Sequence, residues 1–240
     1  MLKNLLVKTY EFEHGDEIAA VKASVMKVYT TLLVLTQKSM QNDLSRLSPA
    51  LELSCNEILK ADKDIAVSGI MKLRSITLPF FNRLLISFGK DVVNYVKESC
   101  SFETFLEKWL YSMQYLNNST TRKENVVAIL GMVQMAPAKM ISKIFEDLMR
   151  EVVPVVFNYI DEQQGFKPNE RPQVKNRMDS YSERKESLLK NSIVDGINIL
   201  TAFKDSIKTF ESNLQATNEK LAPFKNEGLQ ENLFKLMQAS

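Results

Sequence analysis

Residues 141–159 read Ile141-Ser142-Lys143-Ile144-Phe145-Glu146-Asp147-Leu148-Met149-Arg150-Glu151-Val152-Val153-Pro154-Val155-Val156-Phe157-Asn158-Tyr159. Ile141, Ile144, Phe145, Leu148, Val152, Val155, Val156 and Tyr159 recur at spacings that keep them on one face of an α-helix. Pro154 lacks an N–H and crowds the preceding turn, so a kink is expected there.

The same period extends in both directions. Upstream, Val126, Val127, Leu130 and Val133 form a helical stripe that ends before Pro137. Phe102, Phe105, Leu106, Trp109 and Leu110 form another, with Ser101 as its cap. Val92, Val93, Tyr95 and Val96 follow Asp91, and Gly89 closes a short apolar helix over 80–88. Before that, Ile65, Ile70, Leu73 and Ile76 suggest a helix that Pro79 ends. Leu44, Leu47, Leu51, Cys55, Ile58 and Leu59 suggest one more. The helix opened by Asp16 carries Ile18, Val21, Val25, Val28, Leu32 and Leu35, and that stripe is the expected buried face. Residues 1–12 read as a helix already under way with no cap ahead of it, as expected of a chain that begins inside a larger protein.

Downstream, residues 161–187 hold six acidic and six basic residues and two prolines, and read as a solvated loop or linker. Leu189, Ile193, Ile197, Leu200, Phe203, Ile207 and Phe210 suggest a long helix, with Asp195-Gly196 inside its period. Shorter helical pieces are expected over 214–224 and 228–237. No segment alternates with period two. The expected fold is therefore all-α, an α–α superhelix of antiparallel pairs of the HEAT or armadillo kind. Residues 1–160 would be repeats, 161–187 a charged loop and 188–240 a last repeat. Paired helices of this type bury their stripes only against neighbours. A compact bundle is the competing architecture.

Composition narrows the function. Apolar residues make up 45% of the 240, which suffices for a substantial core. A net charge of +2 lacks the basic excess of a nucleic-acid binder. No run approaches the ~20 apolar residues that span a bilayer. The seven glycines are scattered, so no phosphate-cradling loop can be built. Two cysteines, Cys55 and Cys100, and one histidine, His14, cannot make a zinc constellation at these spacings. The thiols fall within apolar helical patterns and read as buried structural groups, while His14 lies in a polar turn. We expect no catalytic residue, no cofactor and no metal. The cytoplasm and nucleus are the expected compartments. Met132, Met135, Met140 and Met149 cluster around one inter-helix turn. Core filler is one reading, and an adaptable protein-binding groove is the other.

Some of these residues resemble a known family. Phe88-Gly89-Lys90-Asp91-Val92-Val93-Asn94-Tyr95-Val96 is similar to the step between helices of importin-β-type HEAT repeats. Phe105-Leu106-Glu107-Lys108-Trp109-Leu110, followed by Thr121-Arg122-Lys123-Glu124-Asn125-Val126, resembles C-terminal repeats of the importin eleven branch of that karyopherin superfamily. Arg184-Lys185-Glu186-Ser187-Leu188-Leu189-Lys190 stands where that branch has an Arg-Lys stretch after a charged loop. The resemblance covers about residue 60 to the end. It implies a nuclear transport receptor segment that binds cargo proteins and the Phe-Gly repeats of nucleoporins. It implies Ran-GTP binding only through N-terminal repeats outside this chain, no nucleic acid, and no membrane insertion. A helical scaffold outside transport, of the coat, tubulin-folding or phosphatase-scaffold kind, is the alternative.

Overall fold

The computed structural model describes residues 16–36, 44–60, 68–113, 119–163, 194 and 196–239. Among the described residues every regular element is helical, with no strand. The chain divides into two compact units, Met1–Ala136 and Pro137–Ser240.

The first unit contains α1 (Asp16–Thr36), a 3-10 turn (Leu44–Leu47), α2 (Ser48–Leu59), α3 (Ser68–Phe88), α4 (Lys90–Ser99), α5 (Phe102–Met113) and α6 (Ser119–Met135). Helix α3 is its axis. It packs on α1, α2, α4, α5 and α6, and α2 also packs on α5. The most extensive contacts are those of α3 with α1, α6 and α2 and of α2 with α5, and the short α4 touches α3, α5 and α6.

The sequence of α3 explains its place. Leu73, Leu78, Phe80, Phe81, Leu84, Leu85 and Phe88 are all buried and form an apolar face nearly half of the helix circumference wide. Each such side chain contributes roughly 1.5–3 kcal/mol when taken from water. Pro79 was expected to end one helix and start another. Instead the helix runs through it. The Thr77 hydroxyl donates to the Leu73 carbonyl at 3.1 Å and to the Arg74 carbonyl at 3.4 Å. It thus supplies a donor in the turn that the proline disturbs. The real end comes at Gly89, whose φ of +46° suits glycine. A Cβ there would also stand 3.0 Å from the Met135 sulfur.

Helix α1 buries a different face from the expected one. Ala19, Ala23, Val25, Met26, Tyr29 and Leu33 are buried. Val21, Val28 and Leu32 are exposed, and Ile18 is half-buried. At about 100° per residue the buried stripe lies roughly a third of a turn from the expected one. Two alanines let α1 approach α3 closely, and Tyr29 meets Phe80 edge-on at 6.4 Å. Helix α5 starts as expected, with the Ser101 carbonyl accepting from Phe105 N–H at 2.9 Å.

The second unit contains α7 (Ala138–Gln163), α8 (Ile199–Ala216) and α9 (Glu227–Gln238), with α7 packed on both others. The two compact units meet in sequence at 136/137, so α7, which runs across position 160, packs with the C-terminal helices. The expected loop, beyond its first three residues, lies outside the described residues. On α7 the predicted stripe holds. Ile141, Phe145, Leu148, Val152 and Val156 are buried, and Ile144, Val155 and Tyr159 are half-buried. Pro154 sits inside α7 on an exposed position.

Helix α8 begins later than its period suggests. Gly196 lies in a turn, and Asn198 caps the helix by accepting from Thr201 N–H at 3.0 Å. The cap satisfies a donor that further helix would otherwise have to cover. Residues 219–226 are not helical as expected, and Asn218 adopts a φ of +53° at the exit from α8. Asn226 then caps α9 through Leu229 N–H at 3.1 Å.

Candidate binding surfaces

In the second unit a cleft of about 220 Å³ lies between α7 and the irregular segment before α9. Phe145 and Phe224 line its apolar side, meeting edge-on at 6.0 Å. Behind them Phe145 stacks on Phe210 at 4.7 Å, which fixes the ring. Lys143, Arg150 and Lys225 line the cleft with Glu146 and Asp147, an excess of one positive charge.

Glu146 holds the cleft together. Its Oε2 accepts from Lys225 N–H at 2.8 Å, and its Oε1 pairs with Arg150 at 2.8 Å. Arg150 also reaches Asp147 at 3.1 Å. The backbone N–H of Lys225, and then Arg150, keep the Glu146 carboxyl below its usual range. A carboxylate committed to these donors is a poor proton acceptor. Ser142 directs its hydroxyl to the Lys139 carbonyl at 2.9 Å. The cleft is smaller than the ~300–1,000 Å³ of ordinary ligand pockets.

Of the four methionines, Met132 and Met135 belong to the first unit and Met140 and Met149 to the second. Met132 and Met149 have no exposed surface, each in the core of its own unit. Met135 and Met140 are half-buried. Met135 covers Gly89, which accounts for its position without a partner.

Cys55 is buried and Cys100 half-buried, both as free thiols. Burial pushes both thiols up, and for Cys55 the neighbouring Cys100 and Glu52 add to it. Thiols held in that state are weak nucleophiles. His14 lies outside the described residues. Among the described residues no three His, Cys, Asp or Glu side chains gather as metal ligands, and no helix is long and apolar enough to cross a membrane.

The first unit also holds a buried polar network at positions where no site was expected. Trp109 Nε1 donates to Asn82 Oδ1 at 2.9 Å, and Asn82 Nδ2 donates to Asn125 Oδ1 at 2.6 Å. Beside them Arg83 forms a fork on Glu124, with contacts of 2.8 to 3.1 Å. The two side chains are 8% and 1% exposed. The signal was present in Asn82-Arg83, a polar pair inside the apolar run 80–88. Its partners on α6 could not be named without the fold.

No family model matches the chain, and neither a curated protein nor a solved structure does. The network joins α3, α5 and α6 and is sealed from solvent, so its role is to fix how these helices meet.

Proposed function

We propose that the chain is a protein-binding segment of stacked helix pairs, an α-solenoid of the HEAT kind, from a nuclear transport receptor. The observation that supports the protein-binding part is the all-helical packing of the first unit, in which α3 packs on the five other helices, most extensively on α1, α6 and α2, and α2 packs on α5. Stacked helix pairs would present broad outer faces and flex by small changes between neighbours. The Phe145–Phe224 cleft with its basic rim adds a contact point for a partner's side chain. The transport role rests on the resemblance around Gly89, Trp109 and Arg122-Lys123.

Retention of the purified chain on immobilised Phe-Gly-repeat peptides tests this. Retention is the expected result, with loss of binding when the Phe residues of the peptide are replaced by Ser. No retention, together with capture by a cytosolic assembly, would move the function to a scaffold outside transport.

A further inference from the structure

Helix α2 starts against the preference of its own residues. Its cap is Leu47, which offers no side-chain acceptor and itself lies in the right-handed helical region, and no acidic residue stands in the first turn. Ser48 is held helical although Pro49 follows it. A proline ring crowds the residue before it and drives that residue towards extended backbone. The favoured arrangement of these two residue types is the reverse, an extended serine as the cap with proline at the first helical position. Here the Ser48 hydroxyl caps nothing. It donates to the Ser45 carbonyl at 2.9 Å, in a bond at the surface of the molecule. Of the seven prolines in the chain, only Pro49 follows a serine or a threonine.

We propose that Ser48 is a phosphorylation site, the acceptor of a proline-directed protein kinase, and that the phosphate strengthens the start of α2. A kinase takes its acceptor in an extended segment. Ser48 reaches that form when the first turn of α2 frays, a local opening that Pro49 favours. The proline presents a fixed φ and no N–H to desolvate in the enzyme's cleft. In the transfer, Ser48 Oγ attacks the γ-phosphorus of a nucleoside triphosphate, the bond from that phosphorus to its bridging oxygen breaks, and the nucleoside diphosphate leaves. The hydroxyl proton passes to the kinase's own base. The product places roughly −1.5 to −2 charges at the positive end of α2. A helix start with neither an acid nor a side-chain cap has the most to gain from them. The inference rests on the start of α2 and is independent of the transport reading.

The test incubates the purified full chain with a proline-directed kinase, ATP and Mg²⁺ and maps the phosphate by mass spectrometry. Phosphate is expected on Ser48, absent in Ser48→Ala and reduced at least about tenfold in Pro49→Ala. In the phosphorylated chain the amides of Leu51, Glu52 and Leu53 are expected to exchange at least about twofold more slowly than in the unmodified chain, with the gain shrinking at high salt. A synthetic peptide of residues 44–54 serves as the control for access. Modification of the peptide but not of the chain overturns the proposal, because the fold then withholds the hydroxyl. No modification of either overturns it as well, and so does incorporation that Pro49→Ala leaves unchanged. Phosphate on Ser48 that leaves the three amides as they were, or speeds their exchange, overturns the claim that the charge strengthens α2.

Discussion

The two units hold their helices together by different means. In the first, α3, α5 and α6 are joined by the sealed Trp109–Asn82–Asn125 chain and the Arg83–Glu124 fork, over a contact of Phe81 with Phe105 and Trp109 at 5.2 and 6.2 Å. In the second, α7 and α8 meet through the stacked Phe145 and Phe210, and the polar contacts lie at the surface around Glu146. A buried polar network penalises every arrangement that leaves one of its members unmatched. An aromatic stack with a surface clasp tolerates small shifts at little cost. The first unit is therefore the more rigidly specified of the two.

The largest expected effect is at the fork. Glu124→Ala leaves a buried guanidinium without its carboxylate and is expected to cost about 3–5 kcal/mol in urea unfolding followed through the first unit. The double variant Arg83→Met with Glu124→Leu is expected to recover most of that loss, since it leaves no buried charge behind. A small loss for Glu124→Ala alone would break the comparison, because it would mean that water reaches the site.

Next is Trp109→Phe, which keeps an aromatic ring and removes the donor to Asn82. Leaving that carbonyl oxygen unmatched is expected to cost about 1–3 kcal/mol, in addition to the volume lost. A larger loss for Trp109→Phe than for Glu124→Ala would place the weight of the network on the amide chain rather than on the ion pair.

The smallest effect is expected at the clasp of the second unit. The Glu146 carboxyl is lowered in the folded state. Its contribution is therefore fully present above the ordinary glutamate value of about 4.3 and is lost as pH falls through the lower folded value. The protection of the Lys225 and Asn226 amides, taken relative to the intrinsic exchange rate at each pH, is expected to fall in that acid range in the wild type. In Glu146→Gln it is expected to be low already at neutral pH. The same rates in both proteins at every pH would mean that the segment is held by Phe224 alone.

Much of the architecture was legible in the sequence where a helix carries a single apolar stripe. Helix α7 sets Lys143, Glu146, Asp147 and Arg150 opposite Ile141, Phe145, Leu148 and Val152, so only one face can go inside. The cap at Ser101 and the end at Gly89 follow from local hydrogen bonding and backbone freedom, which also belong to the residue itself. The cleft was not legible, because Phe145 and Phe224 lie 79 residues apart in sequence and meet only in the fold. The polar network was hidden for the same reason.

By itself, then, the sequence determined the helical class, most helix positions and the buried face of α7, since period and capping are local properties. The tertiary structure decided the rest. It carried α3 through Pro79, because the packing of Phe80, Phe81, Leu84 and Leu85 outweighs one lost hydrogen bond. It drew Met132 and Met149 into the cores. It also chose between the two stripes of α1, because a helix apolar on two faces has no preference of its own. Only the surface offered by α3, close enough for Ala19 and Ala23 and shaped for Tyr29 against Phe80, made one stripe the better fit.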